Sequence, residues 1–310
     1  MQVISGIRNL PHSLKKSVVT IGNFDGVHLG HRALLTRLVE SARREQAASV
    51  VFTFNPHPVQ VLYPDRALSK LFAIEDQQQQ LEALGVDYLV IEPFSREFSQ
   101  LDPENYLNDW VFRPLQPSTL IVGYDFTFGV GKSGTIDFLQ AICSKRAITV
   151  EVFPPVKVAG QLVSSSRIRQ ALKEGQVRLA SELLGRPFYV VGLVERGAAR
   201  GRQIGVPTAN LHLLSETLPA VGVYACWVWR RSECFAAVTN IGFNPTFVGP
   251  EEQRLPRLET HLLDFSKDIY GEELRVEFVE FLRLERKFAS VDELKAQIHQ
   301  DIARGRTLLT

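Results

Sequence analysis

The sequence predicts a chain of two parts: an α/β half on a parallel sheet, then a β half forming a closed or Greek-key-like β-barrel with a terminal helix. Three observations predict it. Apolar β-forming runs alternate with helical patterns up to Leu184, which argues for a sheet covered on both faces. Beyond Gly185-Arg186-Pro187 the runs become short strands separated by turn residues. A single amphipathic pattern then closes the chain. The expected domains are residues 1–184 and 185–310.

The first strand, Val18 to Ile21, runs into Gly22-Asn23-Phe24-Asp25-Gly26-Val27-His28-Leu29-Gly30-His31. A helix follows, with Ala33, Leu34, Leu35, Leu38, Val39 and Ala42 on one face at the 3.6 period. The stretch is therefore a strand-to-helix turn. Its glycines let backbone N–H groups approach a ligand, and the helix N-terminus adds partial positive charge and free donors. His28 and His31 enter the same turn. The whole makes a cradle for a polyphosphate, with two imidazoles able to donate to it.

Further strands end on unusual residues. Val50 to Phe54 exits into Asn55-Pro56-His57-Pro58, where a rigid surface turn and a ligand contact through His57 weigh equally. A helix near Glu75 to Leu84 stops at Gly85, a suitable C′ residue. Its glutamine run, Gln77 to Gln80, reads as a solvated face. After the strand Tyr88 to Ile91, Thr119 to Val122 exits into Gly123-Tyr124-Asp125-Phe126-Thr127-Phe128-Gly129, with Gly131 and Gly134 beyond. Two aromatics, a carboxylate and several glycines there suit a flat heterocycle under a mobile loop. Ile148 to Phe153 precedes Ser164-Ser165-Ser166-Arg167-Ile168-Arg169 at the start of a helix. One serine caps it, and hydroxyls with arginines at a helix N-terminus suit phosphate. A short helix, Val177 to Leu184, ends this half.

Composition narrows the function classes. In 310 residues the net charge is +1, so no strong field draws the chain to nucleic acid or an anionic membrane. No apolar run reaches membrane-spanning length, and Met1 to Leu10 lacks the parts of a signal peptide. Three cysteines, Cys143, Cys226 and Cys234, form no C-x-x-C pair. Buried thiols in a cytoplasmic protein are expected rather than a bridge. Small-molecule partners are expected, and homo-oligomerisation is left open.

The second half offers strands at Phe188 to Val194, Val223 to Trp229, Phe235 to Asn240, Glu259 to Leu263 and Leu274 to Phe281. Between the first two lies Gly197 to Asn210, with Gly201, Arg202 and Gly205 in a loop before Pro207-Thr208-Ala209-Asn210. Oxygen ligands from Thr208 and Asn210 suit Mg²⁺ held with nucleotide phosphates. Glu259 on its strand is a candidate base for a substrate hydroxyl. Ser290-Val291-Asp292-Glu293 reads as a capping box opening the last helix, whose stripe is Val291, Leu294, Ile298 and Ile302.

The H-x-G-H spacing and the S-S-S-R-I-R segment resemble the signatures of the nucleotidyltransferase superfamily, which implies a Rossmann-like first domain. Val163 and Ser166 are mild departures. With G-R-Q-I-G-V-P-T-A-N, T-N-I-G-F-N-P-T-F and E-T-H-L-L-D-F added, the chain from about Val18 to about Arg304 resembles bifunctional bacterial riboflavin kinase/FAD synthetases. The resemblance implies two activities. The first domain adenylylates FMN to FAD, with His28, His31 and Arg169 at the ATP. Gly22, Asn23, Asp25, Gly30 and Ser165 belong to the phosphate site, and Asp125, Phe126 and Phe128 lie near the flavin. The second domain phosphorylates riboflavin, with Gly201, Arg202 and Gly205 at the nucleotide, Thr208 and Asn210 on Mg²⁺, and Glu259 as base. Val206 and Leu284 depart from the family pattern without touching a catalytic role. The rivals are another nucleotidyltransferase, an aminoacyl-tRNA synthetase and a flavin-binding regulator. The β-rich half opposes the first, the charge balance the second, and the retained His28, Asn210 and Glu259 the third.

Overall fold

The computed structural model describes residues 1–65, 68–196, 201, 205–243 and 256–310. The chain divides into two compact units. One comprises Met1–Ser69 with Ala73–Val163, the other Lys70–Phe72 with Ser164–Thr310.

The first unit holds a six-stranded sheet of β1 (Gln2–Ser5), β2 (Ser17–Ile21), β3 (Ala48–Asn55), β4 (Tyr88–Pro93), β5 (Pro117–Gly123) and β6 (Thr149–Phe153). The order is β1-β4-β3-β2-β5-β6, with every pairing parallel. Helices α1 (Leu29–Glu45), α2 (Pro58–Leu62), α3 (Ile74–Ala83), α4 (Pro103–Tyr106), α5 (Arg113–Leu115) and α6 (Ile136–Ser144) connect the strands, with a π-helical turn at Leu107–Phe112. All five residues of β2 are buried, as a central parallel strand requires. Alternation sends its side chains both ways. Val19 and Ile21 join Val50, Phe52, Leu120 and Val122 in one core. Val18 joins Val51, Ile121 and the α1 residues Leu34, Leu35, Leu38 and Val39 in the other.

The second unit carries two helices, α7 (Ser165–Lys173) and α8 (Val177–Leu184), and a closed antiparallel barrel. A short hairpin, β7 (Lys157–Val158) with β8 (Gln161–Leu162), precedes α7 in the chain and belongs to the first unit. The barrel strands are β9 (Phe188–Glu195), β10 (Ala209–Leu213), β11 (Gly222–Arg230), β12 (Glu233–Gly242), β13 (Arg257–Leu262) and β14 (Glu273–Arg283), closing in the order β10-β13-β12-β11-β14-β9. The expected fold class, parallel sheet then barrel then terminal helix, is what the structure has.

The terminal helix is α9 (Val291–Leu308). Ser290 Oγ accepts the Glu293 N–H at 3.2 Å, but the Glu293 carboxylate accepts from Ala289 N–H rather than Ser290. Ile302 packs on Val223, Ala225, Val238 and Leu282, whereas Val291 is 57% exposed and lies outside the apolar contact. Arg283 and Asp301 tie the helix to β14 through two-atom contacts at 2.7–3.0 Å. The three cysteines are free; Cys143 and Cys226 are buried, while Cys234 is exposed, against the expectation of burial.

Candidate active sites

In the first unit, the chain leaves β2 towards β3 and β4 on one side, while β5 and β6 lie on the other. The β2–β5 crevice is thus the switch point of the sheet, where parallel α/β folds bind ligands. The carboxyl end of β2 carries Gly22 to His31, and that of β5 carries Asp125, Phe126 and Phe128. The fold therefore places both sequence-predicted clusters at neighbouring strand ends.

The turn after β2 is tightly determined. Phe24 and Val27 take positive φ (49° and 40°), as does Gly26 (83°). His28 caps α1: its Nδ1 accepts the His31 N–H at 3.2 Å. A neutral His28 then carries its proton on Nε2, which is a donor. The rings of His28 and His31 stack 3.6 Å apart at 14°. Burial pushes the His28 imidazole down from 6.5 to about 4, and burial with the neighbouring His28 holds His31 well below 6.5. Two stacked imidazoles cannot both be charged. Part of His31 reaches the surface, yet its Nδ1 is buried without a hydrogen-bond partner. A Cβ on Gly30 would lie 3.2 Å from the His28 ring, so this position favours glycine.

Phe128 is buried and Phe126 half-buried, with their rings stacked 5.3 Å apart. Tyr106 packs on Phe128, and Phe54, Phe94 and Phe98 extend the cluster at the ends of β3 and β4. Phe128 is thus a core residue whose cluster adjoins the strand ends. Asp125 is exposed. Sequence reasoning missed Tyr106 and Glu92. The Tyr106 hydroxyl is buried without a partner. Glu92 accepts the Ile7 N–H at 2.7 Å, and burial raises its carboxyl above the usual range. His57 Nδ1 accepts from Val59 N–H, and Gln60 accepts from His57 N–H, so His57 caps α2.

In the second unit, Ser164 caps α7, its Oγ accepting the Arg167 N–H at 3.2 Å. Ser165 and Arg169 lie in the first turns of that helix. In the barrel, Asn210 on β10 stands directly opposite Glu259 on β13, and Glu259 directly opposite Asn240 on β12. Ala209, Thr260 and Thr239 form the adjacent buried row, with the two threonine hydroxyls 3.1 Å apart. Alternation therefore puts Asn210, Glu259 and Asn240 together on the other face, each half-buried. Asn240 was not singled out from sequence; its signal was the T-N-I-G run. Thr208 precedes β10, and His261 Nδ1 lies 2.7 Å from Pro207 O, holding the approach. Gly201 O accepts the Val206 N–H at 2.8 Å, and Gly205 has φ +81°. Arg202 lies outside the described residues. Thr208, Asn210 and Glu259 offer the oxygen donors that a hard cation takes, so this set fits Mg²⁺.

Comparison with known proteins decides the family. Residues 10–167 match the family model described as FAD synthetase, and residues 184–309 match that described as riboflavin kinase. The bifunctional riboflavin kinase/FMN adenylyltransferase of Escherichia coli (strain K12) is 39% identical over 308 residues, 99% of this chain and 97% of that protein. The chain belongs to the bifunctional riboflavin kinase/FMN adenylyltransferase family. The Bacillus subtilis member is 36% identical over 94% of this chain and 93% of its own. As a member, the chain is an enzyme of flavin biosynthesis that converts riboflavin to FMN and FMN to FAD, with the FAD synthetase part first. A crystal structure described as a macrolide-efflux protein from Streptococcus pneumoniae shares the fold, with a TM-score of 0.88, 34% identity and 99% of both chains covered. That described activity is not carried over to this family member. No helix among the described residues is long and apolar enough to cross a membrane.

Proposed function

We propose that the two activities occupy the two sites described above. FMN adenylylation takes place at the β2–β5 strand ends, and riboflavin phosphorylation at the Asn210–Glu259 face of the barrel. The observation that carries this reading is the separation of the His28–His31 pair from the Asn210–Glu259 pair; Ser165 and Arg169, the rest of the first motif set, fall in the second unit. The neutral His28–His31 pair stands at the head of a 17-residue helix, and the Asn210–Glu259 pair lies on an antiparallel ladder in the other unit. The functional division we draw falls at Leu184–Gly185.

For adenylyl transfer, an oxygen of the FMN phosphate attacks the α-phosphorus of ATP and pyrophosphate leaves. Catalysis is positioning and charge stabilisation. The His28 Nε2–H and the free N–H groups of α1 supply donors for the triphosphate. Gly22, Asn23, Asp25 and Gly30 shape that turn. The roles of Arg169 and Ser165 rest on their motif alone. Half-buried Phe126, backed by the buried Phe128 ring, supplies stacking surface for the isoalloxazine ring, with exposed Asp125 next to it in the chain.

For phosphoryl transfer, the terminal ribityl hydroxyl of riboflavin attacks the γ-phosphorus of ATP and ADP leaves. The Glu259 carboxylate takes the hydroxyl proton. Thr208 and Asn210 would hold Mg²⁺, which when bound neutralises charge on the nucleotide oxygens. Gly201, Arg202 and Gly205 belong to the nucleotide loop on this reading. The substrates are small molecules, with neither nucleic acid nor membrane as partner, and the location is cytoplasmic, in keeping with free thiols.

The test is a time course. Purified enzyme with riboflavin, ATP and Mg²⁺ is sampled and its flavins separated by chromatography. FMN appearing before FAD supports two sites in this order. FMN without FAD would remove the assignment of the β2–β5 site.

A further inference from the structure

The four-glutamine run on α3 is not a solvated face. Gln77 is buried, Gln78 and Gln80 are half-buried, and only Gln79 is exposed. Gln77 Nε2 donates to the carbonyl oxygen of Asn23 at 3.0 Å. Thr53 Oγ1, from fully buried Thr53 on β3, donates to the same oxygen at 3.3 Å. A carbonyl only accepts, so the Gln77 amide must present its nitrogen there, and the two donors use both lone pairs. Three residues along the same helix face, Gln80 Oε1 accepts from Arg32 at 3.1 Å. Arg32 directly follows His31. Helix α3 therefore grips the Gly22–His31 turn at its entry and at its exit.

The grip acts on the backbone that shapes the turn. In a trans peptide the C=O and N–H point in opposite directions. Holding the Asn23 carbonyl towards Thr53 and Gln77 turns the Phe24 N–H away from them. Phe24 then has φ +49°, which is costly outside glycine. Its buried ring covers Gly22 and meets the His31 ring edge-on, 5.2 Å between centroids. Val27 at φ +40° continues the same unusual path into His28. Backbone of this kind persists only when its surroundings over-determine it, and Gln77 and Thr53 are the side chains that do so at Asn23.

We propose that Gln77, supported by Thr53 and Gln80, is a positioning residue for adenylyl transfer. It holds the Asn23–Phe24 peptide so that the turn presents His28 and His31 to the nucleotide. The proposal rests on the reading that this turn is the adenylylation site. Gln77 touches no reacting atom; it acts through the turn.

The test uses the full chain. Gln77→Met removes the donor at nearly constant shape, and Gln77→Glu sets an acceptor against the carbonyl. Thr53→Val and Thr53→Ser remove and retain the hydroxyl. Each variant is assayed for FMN adenylylation, with kcat and KM for ATP, and for riboflavin phosphorylation. Gln77→Met is expected to lower kcat/KM for ATP in adenylylation by about tenfold, the fold-change for one hydrogen bond of roughly 1.4 kcal/mol, chiefly through KM. Phosphorylation stays unchanged. Gln77→Glu is expected to lose more, and to recover towards Gln77→Met as the pH is lowered and a protonated carboxyl can donate. Thr53→Ser should keep what Thr53→Val loses, which also serves if Gln77→Met fails to fold. Wild-type adenylylation by Gln77→Met, or equal loss of both activities with a lower Tm, would overturn the proposal. His28→Ala is run beside them: if it still makes FAD, the reading of the turn itself has failed, and not the clamp alone.

Discussion

His28 accepts the backbone N–H of His31 through Nδ1, and the two rings stack 3.6 Å apart. One cap thus fixes the tautomer of the first imidazole and the start of the helix that carries the second. Because burial lowers His28 to about 4, the pair is neutral through the working range of most enzymes. The adenylylation rate should therefore show no acid limb from His28 near its ordinary value of 6.5. A pH profile of kcat/KM for ATP checks this; a limb at that value, absent in His28→Gln, would contradict it.

The same shift has a consequence for stability. A group with a lowered folded pKa contributes stability that is complete above its unfolded pKa. That stability is lost as the pH falls from 6.5 towards about 4. His28→Ala should flatten this part of the curve. Urea midpoints of both proteins across the range measure it, and parallel curves would count against a buried neutral imidazole.

Gly30→Ala puts a methyl group 3.2 Å from the His28 ring. The ring must tilt or the helix must shift. FAD formation should fall by up to about a hundredfold, the scale of an ångström-sized misplacement, with FMN formation unchanged. Steady-state rates of the two reactions on one preparation decide it.

Gly134→Ala places its Cβ 2.7 Å from the Phe128 ring. Displacing a buried aromatic costs about 1–3 kcal/mol, and it disturbs the cluster proposed to face the flavin. The expected result is a lower Tm with a raised KM for FMN and little change in KM for ATP. A raised KM for ATP alone would place the flavin elsewhere.

The architecture was legible because its central strands are apolar runs. Val18 to Ile21, Val50 to Thr53 and Thr119 to Val122 are buried on both faces, and such strands announce themselves. β1 and β10 did not. Gln2–Ser5 is a four-residue edge strand with one buried side chain, and Ala209–Leu213 carries Asn210 and His212 among three apolar residues. The motif glycines and histidines were legible from spacing. What spacing hides is tertiary. The His28 cap and its stacking on His31 appear only in the folded chain, and the hold of Gln77 on Asn23 links residues from separate elements. A glutamine run looks the same whether water or a carbonyl receives its amides. The T-N-I-G run holds Asn240 but not its neighbour, since only strand pairing puts it beside Glu259.

The central claim is that one chain holds two independent sites, and a pair of substitutions tests it most directly. His28→Ala and Glu259→Gln are each assayed for riboflavin to FMN and, with FMN supplied, for FMN to FAD. His28→Ala should lose FAD formation by about 100-fold or more and keep FMN formation. Glu259→Gln should lose FMN formation by roughly 100- to 10,000-fold and keep FAD formation. Loss of both activities in either variant, or full riboflavin phosphorylation by Glu259→Gln, would contradict the account.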